Sequence, residues 1–321
     1  MINKLNALSG VLQRNKFLMW LLIILITLIW GYAWVLMKAA LDYMGPFTFS
    51  AFRFSIGAIT LLLVVWLLKT GAPPKKYIKH IMIIGLLQTS AVFLLVMYGL
   101  RFVDAGQSSV ILYSMPLFSS LLALKFLGEK INAAKFAGLL MGMLGLVTIL
   151  GWDIFIGQPW QAIFGQLLII IAAIAWAISN VYYRLKVPDL PRLQVSAFQM
   201  TFGAVGIIIV ALFMEWNEPI VLNAESIYYI VFTGVLASAL CFTAWFFIIS
   251  FIDMVTATIS TLLVPIFGLF FSSLILQEEM TIGVITGTGL IISGIIIAQI
   301  KKRKRTSFRE QQEKPRISDS T

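Results

Sequence analysis

FVDAGQSSVILYSMPLFSSLLALKFLGEKINAAKFAGLLMGMLG (Phe102–Gly145) and FIDMVTATISTLLVPIFGLFFSSLILQEEMTIGVITGTGLIISG (Phe251–Gly294) are one pattern written twice. A shift of 149 places Phe102, Asp104, Pro116, Phe118, Leu127, Glu129, Gly138 and Gly145 on Phe251, Asp253, Pro265, Phe267, Leu276, Glu278, Gly287 and Gly294 without a gap. Each copy holds a polar hinge with an Asp, an apolar segment with a central Pro, a Glu, and an apolar segment carrying glycines. A fixed register over this length marks a duplicated structural unit.

The register continues upstream. Gly85, Leu87 and Phe93 fall on Gly234, Leu236 and Phe242. Before that the shift becomes 146: Trp30, Val35, Lys38, Ser50, Ala51, Phe52, Gly57 and Ala58 match Trp176, Val181, Arg184, Ser196, Ala197, Phe198, Gly203 and Ala204. One matched pair differs in charge, Arg53 against Gln199. The repeats occupy residues 18–151 and 162–300, between an N-terminal segment 1–17 and a basic tail 301–321.

Composition sets the class. The chain is 60% hydrophobic and 12% charged, about half the charged share of an ordinary globular domain. Apolar runs of about 20 residues recur, the length an α-helix needs to cross a bilayer core. Ten spans are expected: Leu18–Ala40, Phe47–Leu68, Tyr77–Leu100, Ala105–Leu127, Ala133–Gly151, Ala162–Tyr183, Val195–Trp216, Ser226–Ile249, Thr256–Leu276 and Ile282–Ile300. Helices are the only candidate, because the runs lack the alternation of a barrel strand. The fold class is all-α integral membrane. No signal peptide is evident, and the single Cys241 excludes an intrachain disulfide.

Charge gives an orientation. With the N-terminus in the cytoplasm, 21 of the 24 Lys and Arg residues fall inside. Asp42, Asp153, Glu218, Glu225, Glu278 and Glu279 fall outside. This is the positive-inside pattern of a multi-pass cell-membrane protein with both termini cytoplasmic. It accounts for the net charge of +10 without nucleic acid. The run Lys301–Arg305 reads as an anchor on anionic lipid.

Five spans is an odd number, so the second repeat enters the membrane inverted. Two similar halves of opposite orientation can exchange shapes and open a midplane site to each side in turn.

Polar and aromatic residues inside the spans are the candidate substrate-binding set. Trp30, Trp34, Trp176 and Trp245 offer apolar or cation-contacting walls, with the interfacial belt as the other reading of any one of them. Gln88, Asn180 and Gln199 carry amides that are costly to leave unpaired in hydrocarbon. Tyr98 and Tyr113 complete the neutral part of the set. Arg53 lies about two turns into its span, where a charge is expensive and by default functional; the alternative is an Arg reaching for the headgroups. Lys38 ends the first span as a second cation or an interfacial anchor. Pro116 and Pro265 predict kinks, as gating hinges or static bends. Glu129 and Glu278 are expected to cap the helices that follow them. The glycines at 138, 142, 145, 283, 287 and 294 predict close-packing surfaces, within the bundle or between protomers of a homodimer.

The sequence has no Walker loop, no metal-ligand cluster and no catalytic triad, so neither a cofactor nor an enzyme activity is expected. No carboxylate lies at a span centre, so any coupling proton or ion is unspecified.

Ten spans in two inverted halves, Trp30-Gly31 followed by Lys38, Arg53 early in the second span, and Pro116 then Glu129 in the fourth resemble the drug/metabolite transporter superfamily, in particular its EamA-type members. The resemblance covers nearly the whole chain except the tail. It implies export of amino acids or related small metabolites through a central cavity. In the second repeat Trp176 is followed by Ala177 rather than Gly, so the two halves are not equivalent. An uptake permease or a drug exporter on the same fold is the alternative. More remote are a sensor and an integral-membrane enzyme.

Overall fold

A computed structural model describes residues 16–128, 132–248 and 261–299. Among these, every regular element is a helix. The order is α1 (Lys16–Ala39), α2 (Pro46–Leu67), α3 (Lys75–Gly99), α4 (Ala105–Leu112), α5 (Met115–Phe126), α6 (Ala133–Phe155), α7 (Trp160–Lys186), α8 (Arg192–Met214), α9 (residues 224–248), α10 (Leu263–Ile275) and α11 (Ile282–Gln299). Seven stretches of the described residues are long and apolar enough to cross a bilayer: Phe17–Asp42, Pro46–Leu67, Lys75–Gly99, Ala105–Phe126, Trp160–Lys186, Arg192–Met214 and Ala224–Trp245. Phe136–Trp152, Leu263–Ile275 and Ile282–Ile297 are apolar but shorter. The expected span Thr256–Leu276 is described only from Thr261. Glu129, Asp253 and the tail 301–321 lie outside the described residues.

Local chemistry sets the helix ends. Pro46 opens α2, where its fixed φ suits the first turn and its missing N–H costs nothing. Asn223 and Ser226 form a reciprocal capping box at the start of α9. The turn after α2 uses left-handed residues at Lys69 (φ 53°) and Gly71 (φ 76°) before Pro73-Pro74.

The main core joins α1, α3, α4 and α7 through Met37, Val96, Ile111 and Ile169, all 2% exposed or less. Large apolar side chains also cover the outside: Trp66 is 73% exposed, and Phe155 and Phe213 are each 81% exposed. A surface of this kind is unstable in water and suits lipid.

The prolines act differently from the expected kink within one helix. α4 ends at Leu112, Tyr113 and Ser114 form a turn, and α5 restarts at Met115 with Pro116 in its first turn. The Pro ring would clash with the carbonyl four residues back, which is Leu112, so the helix stops there. Ser114 covers the exposed end, its N–H and Oγ both donating to the Ile111 carbonyl at 3.2 and 2.6 Å. The second repeat has a turn at Leu262, and α10 begins at Leu263 with Pro265 in its first turn.

A second irregularity has no signature in the expectations. α3 contains a π-helical segment, Leu86–Ala91, and α9 contains another, Phe232–Leu240. Under the shift of 149 the first falls within the second. Gly85, just before the first segment, and its repeat mate Gly234, inside the second, each meet backbone. Gly85 faces the Gln199 carbonyl, and a methyl group on Gly234 would lie 2.9 Å from the Arg53 carbonyl.

The glycine surfaces pack within the bundle. α6 and α11 meet backbone to backbone: a methyl on Gly145 would lie 2.7 Å from the Gly287 carbonyl, and one on Gly294 would lie 2.5 Å from the Gly138 carbonyl.

Candidate functional site

A cavity of about 300 Å³ lies at the centre of the bundle. The structure places Trp30, Trp34, Arg53, Gln88, Tyr113, Trp176, Asn180 and Trp245 around it. α1 contributes Trp30 and Trp34, on the same face at i and i+4. α7 contributes Trp176 and Asn180 with the same spacing. Tyr113 reaches the wall from the turn between α4 and α5, so the break caused by Pro116 is what places it.

Each polar member is oriented by a neighbour. The Trp30 indole donates to the Ala237 carbonyl at 2.9 Å and stands edge-on to Phe242 and Trp245, with ring centroids 5.7 and 5.8 Å away. Gln88 accepts from Ser179 Oγ at 3.2 Å. Asn180 directs its amide at Met115 Sδ, 3.5 Å away.

Arg53 is 5% exposed. Its Nε donates to Ser238 Oγ at 3.2 Å and its Nη1 points at Met37 Sδ at 2.8 Å. The guanidinium carbon lies 4.9 Å from the ring centroids of both Phe54 and Phe93. These partners are all neutral, and none of the described carboxylates pairs with it. A buried cation among neutral groups is poorly compensated. No Asp or Glu is among the described lining residues.

Three residues of the expected set stand elsewhere. Lys38 Nζ donates to the carbonyls of Leu100 and Val103, at 2.5 and 2.9 Å. It covers the open carbonyls that follow α3, a favourable place for a cation. Tyr98 stacks on Phe47 and meets Phe102 edge-on, away from the cavity. Gln199 is 4% exposed and accepts from Thr89 Oγ at 2.9 Å, between α3 and α8.

The cavity also recruits residues that the sequence reading passed over: Ala33, Met37, Phe93, Leu112, Met115, Ser196, Phe242 and Thr261. A signal for Phe93 and Phe242 was present, because they are repeat mates. Met37 is a soft sulfur on an apolar helix, and nothing in its spacing marks it as a neighbour of Arg53.

At the end of the bundle that holds Lys38, two carboxylates cap helices from a distance. Glu215, 5% exposed, accepts from the N–H groups of Phe47 and Thr48 at 3.0 and 2.7 Å. Glu278 does the same for α4, not for the following helix α11 as expected. α11 has its own donor–acceptor pair, with Thr281 Oγ1 accepting from the Val284 N–H at 3.2 Å.

Comparison with known proteins agrees with this architecture. The model of the EamA-like transporter family matches residues 17–151 and 163–299. The chain is 33% identical over 276 residues to the "Uncharacterized transporter YoaV" of Bacillus subtilis (strain 168), covering 86% of this chain and 94% of the relative. It is 23% identical over 285 residues to the "Probable amino-acid metabolite efflux pump" of Escherichia coli (strain K12), covering 86% and 93%. A solved crystal structure aligns with a TM-score of 0.62 at 19% identity, over 88% of this chain and 98% of its own, a likeness of fold alone. Matched in both repeats by the family model and along most of its length by a Bacillus transporter, the chain belongs to the EamA-like transporter family.

Proposed function

We propose that this membrane transporter exports a small metabolite bearing a carboxylate, by alternating access around the central cavity. The observation that carries the proposal is Arg53, a buried guanidinium with neutral partners on a wall shared with four tryptophans. A carboxylate would supply the missing charge, and the indoles would hold an apolar or aromatic body. The printed name of the Escherichia coli relative, an amino-acid metabolite efflux pump, supports this substrate class and direction.

The helix contacts support ten spans in two inverted halves. α1 packs on α10, and its repeat mate α7 packs on α5. α2 packs on the π segment of α9, and its mate α8 packs on that of α3. α2 with α8, and α6 with α11, are pairs that a two-fold axis would map onto themselves. On the positive-inside reading, the end with Lys69, Lys75 and Lys76 faces the cytoplasm and the capped end with Glu215 and Glu278 faces outward. The membrane is then the cell membrane.

The test is counterflow of labelled amino acids and small carboxylates in proteoliposomes, with wild type beside Arg53→Ala. Exchange of a carboxylate compound that is lost in a folded Arg53→Ala variant supports the reading. Unchanged exchange in the variant makes Arg53 a packing residue of the cavity wall and refutes it. Accumulation of the same compound in everted vesicles tests the direction.

A further inference from the structure

The two π-helical segments occupy one register and make one kind of contact. Arg53 and Gln199 are repeat mates, and so are Ser238 and Thr89. Ser238, on the π segment of α9, accepts from Arg53; Thr89, on that of α3, donates to Gln199. The helices are close enough for this only because glycine sits beside each contact. A methyl on Gly57 would lie 3.1 Å from Ser238 Cβ, and one on its mate Gly203 would lie 2.8 Å from the Gly85 carbonyl.

One π segment does more than its mate. A π turn widens the helix by one residue and disturbs its regular hydrogen-bond ladder. In Phe232–Leu240 the Ala237 carbonyl accepts the Trp30 indole while the adjacent Ser238 hydroxyl holds Arg53. Two consecutive residues of one helical defect thus orient both the cation and an aromatic wall of the cavity. With Nε on Ser238 and Nη1 on Met37, the guanidinium keeps Nη2 for a ligand.

Resting on the carboxylate reading of Arg53, we propose that Ser238 is a positioning residue for that guanidinium. The π segment Phe232–Leu240 is then the specificity element that sets its angle toward an anionic substrate group. A neutral substrate group makes no use of this angle, so the effect of Ser238 is selective for the anion. Because Gln199 takes the place of Arg53 in the other repeat, the anion site is single and lies on the α9 side.

Two measurements on the full-length purified protein test this. The first needs no ligand. Arginine-selective nitrogen-15 labelling reads the Nε–H resonance of Arg53, assigned by its disappearance in Arg53→Lys. Ser238→Ala shifts that resonance and speeds its solvent exchange, and Ser238→Thr, which keeps a hydroxyl, restores both. A resonance unmoved in Ser238→Ala overturns the proposal. The second uses hippurate and its neutral amide, hippuramide, as a probe pair, with quenching of tryptophan fluorescence as the readout. Ser238→Ala weakens hippurate binding about five- to tenfold and leaves hippuramide unchanged. Equal loss for both probes means that Ser238 only holds the fold, and overturns the proposal. Wild type that prefers hippuramide to hippurate instead refutes the carboxylate reading of Arg53, and the resonance then judges the Ser238 contact separately.

Discussion

Glu278 Oε1 accepts the backbone N–H of Ala105 at 2.8 Å, so a carboxylate of the second repeat caps a helix of the first. Oε2 takes the next N–H, from Gly106, at 3.2 Å. The first N–H groups of a helix have no partner within it, and an anion there also meets the favourable end of the helix dipole. Lys38 ties the same α3–α4 turn from α1. Glu278→Ala is expected to cost about 0.5–2 kcal/mol, the range of a lost helix cap. Glu278→Gln, which keeps an acceptor, costs less. The midpoint of thermal unfolding in detergent separates the two; equal midpoints for both variants and wild type would mean that the cap is idle.

Arg53 should trade stability against activity. Replacing a buried charge that has no ion-pair partner with a similar-sized apolar chain removes its desolvation cost. Arg53→Met is therefore expected to unfold no earlier than wild type while losing at least tenfold in counterflow. Arg53→Lys keeps the charge without the planar fork and should lie between. Paired thermal and transport assays check both, and a large loss of stability in Arg53→Met would make the residue structural.

The contact between α6 and α11 makes a sharp prediction about size. A side chain at Gly145 would collide with the Gly287 carbonyl and with Ile291, whereas Gly289 has open space around it. Gly145→Leu should cost about 3 kcal/mol or more through forced separation of the helices. Gly289→Leu should be close to neutral. Expression level and unfolding midpoint, read side by side, test the difference.

Tyr43, in the turn after α1, donates its hydroxyl to the carboxylate of Glu225 in the first turn of α9. That bond, and the charge beside it, raise the phenol above its usual pKa. A raised folded-state pKa contributes stability that is fully present below the unfolded value of about 10 and lost as pH rises through the folded value. Wild type should therefore exceed Tyr43→Phe in stability at pH 7, and the gap should close in strong alkali. Unfolding midpoints from pH 7 to 11 measure it; a gap independent of pH would place the effect in packing.

The helical class was legible because runs of about 20 apolar residues have few other solutions in lipid. The tryptophans and Arg53 stood out because polar or bulky residues inside such runs need a reason to be there. Lys38 and Gln199 were harder. Their type suggested the cavity, yet each has a nearer partner: carbonyls left open at the end of α3, and a hydroxyl on a crossing helix. Those partners are 62 and 110 residues away in sequence. The π segments left no trace in apolar periodicity, because one extra residue in a uniformly apolar run changes no pattern. Pro116 signalled an irregularity, but whether a helix bends or stops depends on what covers the carbonyls at the break, and here Ser114 covers that of Ile111.

The α6–α11 pair has a practical consequence. Its helices lock on each other through bare backbone and touch the rest of the bundle lightly. Such a pair is expected to move as one body. Spin labels on its lipid-facing residues Val147 and Ile285 would keep one separation through a transport cycle. The protein thus carries its own ruler, against which the displacement of every other helix can be read.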